Sequence, residues 1–195
     1  MLEPEIIKQN LREKSDEEIY ILARNESKEL REDVRPILIE EIKRRNLNLK
    51  LINWIDLENR ELPIDQIKKR ISTFNCPNCG RNQTRIVGIK NSYIICFLHF
   101  TDNKTSIKIL CESCARKNTI KYSLITFFLG WWGIGVIIAP FVLFNNFLNF
   151  FRVDRNSEEI LEHFIQTKRG LIAKDIKNDI TLFKFIKQFN SNNSA

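Results

Sequence analysis

The alternation of apolar and polar positions changes rhythm several times along this 195-residue chain. Up to residue 71, short apolar sets at helical spacing are interleaved with charges. Ile19, Leu22 and Ala23 form one such face. The preceding Ser15-Asp-Glu-Glu18 reads as a capping box, in which the Ser hydroxyl accepts an early helix N–H and Glu18 reaches back to the Ser15 amide. Val34, Ile37, Leu38, Glu41, Ile42 and Arg45 form a second face, with Pro36 placed where only a first turn tolerates it and Arg44-Arg45 as a cationic end. From Leu47 to Leu57 no clean period emerges, and Trp54 and Ile55 are expected to pack on the earlier helices. Pro63 opens a further element that ends near Ile71. Residues 1–71 are therefore predicted to be a small helical bundle or hairpin.

A β rhythm follows. Arg85–Lys90 and Tyr93–Phe100 are rich in β-branched and aromatic residues and predict two strands, Asp102-Asn-Lys104 predicts a turn, and Thr105–Leu110 a third strand. Residues 122–151 then carry no charge at all. Beyond them, Asn156-Ser-Glu-Glu159 can start a helix to about Lys168 that Gly170 ends. Ile172, Ile176, Ile180, Phe183 and Ile186 predict one amphipathic helix, followed by a frayed tail over 190–195.

Charge sharpens these divisions. The net charge is +7, but residues 1–75 hold 15 basic and 16 acidic side chains, whereas residues 76–121 hold 8 basic and only 2 acidic ones. Only 6 Gly and 5 Pro exclude collagen-like and Pro/Gly low-complexity classes. The N-terminus shows neither the basic nor the apolar region of a secretory signal, and five cysteines is an odd number, so a reducing, cytosolic setting is expected.

Four of the five thiols make two C-x2-C pairs, Cys76/Cys79 and Cys111/Cys114. Four thiolates supply a closed tetrahedral site, so one structural Zn2+ is the expected cofactor, with iron in the same cage as the alternative. Strands between the pairs suggest a zinc ribbon. Gly80, directly after the first pair, is expected at positive φ so that backbone N–H groups can point at sulfur. Cys96 sits in an apolar strand and reads as core. A nucleophilic set of Cys96, His99 and Asp102 is disfavoured, because a three-residue offset puts Cys96 and His99 on opposite strand faces. His163 reads as an ordinary helix histidine. No Gly-rich phosphate loop, paired-carboxylate motif or open metal site is present, so an enzyme is not expected.

The uncharged stretch exceeds the roughly 18 apolar residues of a spanning candidate, yet Gly130, Trp131, Trp132, Gly133 and Gly135, followed by Pro140, interrupt it. Three readings stand: a membrane hairpin with both flanks on the cytosolic side, which is favoured; a kinked single span; and a hairpin buried in a soluble assembly. Gly135-x-x-x-Ala139 offers a small-residue approach surface. Five Lys/Arg over 102–121 and four over 152–171 give the flanks matched positive charge for anionic headgroups.

Cys76-Pro-Asn-Cys79-Gly80, a β-rich insert, Cys111-Glu-Ser-Cys114 and then Phe128-Leu-Gly-Trp-Trp-Gly-Ile134 resemble a group of poorly characterised bacterial membrane-associated zinc-ribbon proteins with a Gly-Trp-Trp-Gly hydrophobic segment. The resemblance covers roughly residues 74–146 and departs after Ile134, where that group tends to continue Pro-Trp-Gly and this chain has Gly135-Val-Ile. It implies zinc at Cys76, Cys79, Cys111 and Cys114 together with membrane association.

The expected fold is α+β: an N-terminal helical region (1–71), a four-cysteine zinc ribbon (72–121), a membrane-embedded helical segment or hairpin (122–151) and a C-terminal helical tail (152–195). The expected function is a non-enzymatic, membrane-anchored adaptor that docks a protein partner. The alternative is a membrane-tethered nucleic-acid-binding ribbon, which is less favoured because Tyr93, Phe97 and Phe100 stand among apolar residues rather than beside a basic track. Membrane lipid, an undefined protein and a second copy of the chain are the candidate partners.

Overall fold

A computed structural model describes residues 4–82, 84–97 and 100–193. The fold is α+β, mostly helical with one two-stranded sheet. It divides into two compact units, Met1–Leu62 with Lys168–Ile176, and Pro63–Thr167 with Lys177–Ala195.

The first unit holds α1 (Pro4–Glu13), α2 (Asp16–Ile21) running into a π-helical turn (Leu22–Glu26), α3 (Val34–Arg44), α4 (Lys50–Asn59) and α9 (Arg169–Lys174). The Ser15/Glu18 capping box forms in both directions, as the spacing predicts. Ile7, Leu11, Ile19, Ala23, Leu38, Ile42, Leu51 and Ile55 close the core. Arg45, just past α3, does most of the polar stapling. Its guanidinium donates to the backbone oxygens of Leu11, Arg12 and Lys14, which the C-terminal end of α1 would otherwise leave unpaired, and it pairs with Asp16 and Glu41. Glu41 is buried between Arg44 and Arg45 at 2.6 Å from each. Two C-terminal features join this unit and correct the sequence reading: Gly170 lies inside α9 rather than ending a helix, and Ile172 is buried there.

The second unit holds α5 (Ile64–Ser72), β1 (Ile86–Phe97), β2 (Phe100–Cys111), α6 (Glu112–Leu129), α7 (Gly135–Phe151), α8 (Ser157–Thr167) and α10 (Asp179–Asn192). The three strands expected from sequence are two. Val87 through Cys96 pairs without interruption from Leu110 back to Thr101, so Asn91 and Ser92 do not break the first strand, and Asp102–Lys104 is strand rather than turn. Strand pairing overrides the weak β preference of these polar residues. The stripe predicted from Ile172 to Ile186 also breaks: Asn178 caps α10 by accepting from the Ile180 and Thr181 amides, the buried face is Leu182, Ile186 and Phe189, and Ile180 is 70% exposed. The tail expected to fray runs as helix to Asn192, and Asn190 and Asn193 bond to β2.

The uncharged stretch is not one span. α6 begins at Glu112, well before the charge-free region, and stops at Leu129; α7 begins at Gly135. No helix among the described residues is long and apolar enough to cross a membrane, and the break between Leu129 and Gly135 makes the stretch two helices where a single span needs one. The two helices, about 27 and 26 Å long at 1.5 Å per residue, form a hairpin against β1. α6 follows the direction of β1, since Thr119 meets Asn91 and Thr126 meets Ile94, while α7 returns, with Asn146 at Ser92 and Asn149 at Lys90. At the tip, a Cβ on Gly135 would come within 2.6 Å of the Cys96 sulfur and would strike the Gly130 carbonyl, so only glycine lets α7 start this close to β1.

The Arg44 guanidinium, with Arg45 beside it, holds the Glu41 carboxyl down at about 2 against the opposing effect of burial, compared with 4.5 for an ordinary Glu. A lowered folded-state pKa stabilises fully above the unfolded value, and that contribution is lost as pH falls. Thermal melts of the wild type should therefore fall between pH ~4.5 and ~2, and Glu41→Gln, which strips a buried pair of one partner, should cost on the order of 3 kcal/mol at pH 7 while flattening that acid dependence.

Candidate metal centre

The metal centre stands at the end of the second unit opposite the α6–α7 tip, where register pairs Ile86 with Cys111. The Sγ atoms of Cys76, Cys79, Cys111 and Cys114 all lie within 4.8 Å of one another, with Cys79 exposed and the other three buried. Local structure brings each one there. Cys76 and Cys79 occupy a turn closed by the Gly80 amide donating to the Cys76 carbonyl at 2.8 Å, and Gly80 has φ +70°, in the left-handed region expected of it. Cys111 is both the last residue of β2 and the N-cap of α6, and Cys114 lies in the first turn of that helix. The ribbon reading changes here: the second pair is carried by a strand-to-helix junction, so the order is turn, β-hairpin, helix. The reason lies in Cys111, whose extended φ/ψ of −70°/156° ends the strand and starts the helix in one residue.

Donors surround the sulfurs. The Cys111 amide donates to Cys76 Sγ at 3.4 Å, and Asn78 Nδ2 donates to Cys114 Sγ at 3.4 Å. As titrating groups the thiols are unequal. Burial pushes Cys111 up to about 12 and raises Cys114. Cys76 is also buried, but the backbone N–H groups of Cys111, Cys79 and Asn78 outweigh that and bring it to about 7. Four sulfurs converging within this distance, with no carboxylate or imidazole among them, can hold one metal ion, and the donor set suits zinc.

Other residues singled out by sequence fall elsewhere. Cys96 is buried with Ile94 and Ala139, away from the cluster. Asp102 pairs with Lys104 at 3.1 Å, and His99 lies outside the described residues. His163 is exposed and stands edge-on to Phe189. Trp131 and Trp132 are exposed at the hairpin tip, where Pro140 lies one turn further into α7, also on the surface. Sequence reasoning missed the polar seam of Thr119, Thr126, Asn146 and Asn149. Its signal was present as helical spacing of Thr and Asn within an otherwise apolar run.

Compared with protein-family models, with curated proteins and with solved structures, the chain matches none.

Metal analysis of the purified chain should give one divalent ion per molecule. Cys111→Ser should abolish it and unfold the strand–helix junction, because binding energy in such a site is folding energy. Cys96→Ala should keep the metal. Gly80→Ala should also retain it while costing roughly 1–2 kcal/mol for its left-handed backbone, and retention should weaken as pH falls, because protons compete for the buried thiolates.

Proposed function

We propose that this chain is a non-enzymatic, membrane-anchored adaptor, braced by one structural zinc at Cys76, Cys79, Cys111 and Cys114, that docks a protein partner from the cytosolic side. The observation that carries the reading is the polarity of the α6–α7 hairpin. Thr119, Thr126, Asn146 and Asn149 bond to β1, and most of the large apolar side chains of the hairpin face outward. Phe128, Ile137, Phe141 and Phe151 are each between 65 and 69% exposed, and Leu124, Phe127, Trp132, Ile134, Phe144 and Phe147 extend the same uncharged surface. Contiguous apolar surface on this scale marks an interaction site rather than a free face.

Hydrocarbon is the proposed cover. The apolar surface runs along α7 and over Leu124–Leu129 of α6, so it is not confined to the tip, while the β2 side carries exposed Asn103, Lys104 and Thr105. The hairpin therefore lies face-on in one leaflet, with its antiparallel helices entering and leaving on the same side. Thiolate ligands require reducing conditions, which puts that side in the cytosol. A filled four-sulfur sphere leaves no position for substrate, in keeping with a structural role for the metal. Nucleic acid fits less well: Tyr93 is buried and stacked on Tyr122 at 5.0 Å, and the exposed aromatics of α7 lie on uncharged surface.

Wild-type protein should float with neutral phosphatidylcholine vesicles and resist release by high salt. Each Asp introduced into hydrocarbon costs about 3 kcal/mol, so Phe128→Asp/Ile137→Asp at the tip and Phe147→Asp/Phe151→Asp at the base should each abolish flotation. Loss only with the tip pair would replace face-on seating by tip-first insertion. A wild-type chain left at the bottom of the gradient would overturn membrane anchoring.

A further inference from the structure

The outer surface of the hairpin is not uniform. A groove of about 480 Å³ runs between α6 and α7, walled by Ile120, Leu124, Phe127, Phe147, Phe150 and Phe151. A second cavity of about 550 Å³ adjoins it toward the metal end, and the two share Ile120 and Phe150, so together they form one continuous trough. The character changes along its length. The second cavity is lined by Arg85, Glu112, Arg116 and Lys117. Arg85 is engaged, with Asp154 at 3.3 Å and Glu112 at 3.8 Å. Among the described residues Arg116 and Lys117 have no acidic partner, and Arg116 leans over the Phe150 ring at 5.9 Å. Among the described residues the buried hydroxyl of Thr84, a residue lining the same mouth, has no hydrogen-bond partner.

We infer that this trough is a site for one anionic phospholipid, its acyl chain in the groove from Ile120 to Phe127 and its phosphate over Arg116, Lys117 and the Thr84 hydroxyl. The inference rests on the membrane reading, because a groove opening onto hydrocarbon is filled by a chain. Charge complementarity selects the headgroup: one end of the trough is wholly uncharged, and at the other Arg85, Arg116 and Lys117 outnumber the one lining carboxylate, Glu112, which faces Arg85. A protein helix would match the apolar part equally well but offers no reason for unpaired cations at one end only. A second copy of this chain would bring the same Arg116 and Lys117 and repel unless it docked antiparallel.

The test uses the full zinc-loaded chain in nanodiscs of phosphatidylcholine, with and without phosphatidylglycerol, read by native mass spectrometry after release into mild detergent. One phosphatidylglycerol should stay bound per chain in preference to phosphatidylcholine. Arg116→Gln/Lys117→Gln should reduce that preference roughly 30-fold, taking about 1 kcal/mol for each basic residue. Leu124→Trp, which fills the groove from an exposed position, should abolish the adduct for either lipid. Flotation on neutral vesicles reports membrane seating independently and should survive both changes. An adduct that ignores headgroup charge, or that survives both variants, overturns the site, as does a lipid-free dimer in the nanodisc. A persistent, charge-selective adduct on a chain that fails to float upholds the lipid site and overturns the anchoring.

Discussion

A sheet of two strands has two edges and no interior strand, and each edge turns every second backbone N–H and C=O away from its only partner. Strands of 12 residues multiply that problem. On β1 four of the outward positions, Gly88, Lys90, Ser92 and Ile94, each have one backbone group met by a side chain: the Gly88 amide donates to Ser157 Oγ, Asn149 and Asn146 donate to the Lys90 and Ser92 carbonyls at 2.7 and 2.8 Å, and the Ile94 amide donates to Thr126 Oγ1. On β2, Asn190 closes both groups of Ile109, and the Asn193 carbonyl accepts from Ile107. Leaving one such buried group unmet costs roughly 1–3 kcal/mol. The central part of each edge is therefore sealed by groups borrowed from helices.

That seal dictates the polarity of the helices that provide it. α7 spends one stripe on Gly135, Ala139, Val142, Asn146 and Asn149, and α6 spends one on Ala115, Thr119, Tyr122 and Thr126. The inward stripe is small or polar because it must approach and bond a strand edge. The remaining positions of an uncharged run are large and apolar, and they have only the outside to face. At the opposite end the four cysteines perform an equivalent task in a different chemistry. They bring together a turn, the end of β2 and the first turn of α6, and one ion shared by the four sulfurs would tie all three.

The cysteine cluster was legible from spacing, because C-x2-C is local and two pairs define one site. The Ser15 capping box and positive-φ Gly80 were legible for the same reason. What sequence obscured was long-range. The start of α6 hides because Arg116, Lys117 and Lys121 make residues 112–121 look like part of a basic ribbon, although they continue the same helix. Asp102–Lys104 carries turn residues, yet its pairing with Tyr93–Ile95 holds it extended. The stripe from Ile172 to Ile186 keeps helical spacing across a break that only Asn178, as a cap, could have betrayed. For Asp102–Lys104 tertiary pairing overrides a local preference worth about 1 kcal/mol or less.

The orientation proposed for the hairpin follows from the same two-sidedness. A re-entrant hairpin driven tip-first would carry the neighbouring strands with it, because Gly135 packs on Cys96 and Thr126 bonds Ile94. Those strand positions pair with Thr101 and Asn103, so Asp102 and Lys104 would enter hydrocarbon together with the apolar tip. Their 3.1 Å ion pair is half exposed at Lys104, and moving such a pair from water into hydrocarbon costs several kcal/mol per ion. Face-on seating keeps that pair out of hydrocarbon. It would leave β2 in water, present the exposed Phe128, Ile137, Phe141 and Phe151 to one leaflet, and let the exposed Trp131 and Trp132 reach the interface that indole rings prefer. The indole pair that made a straight span implausible is then the feature best suited to a hairpin lying along the surface.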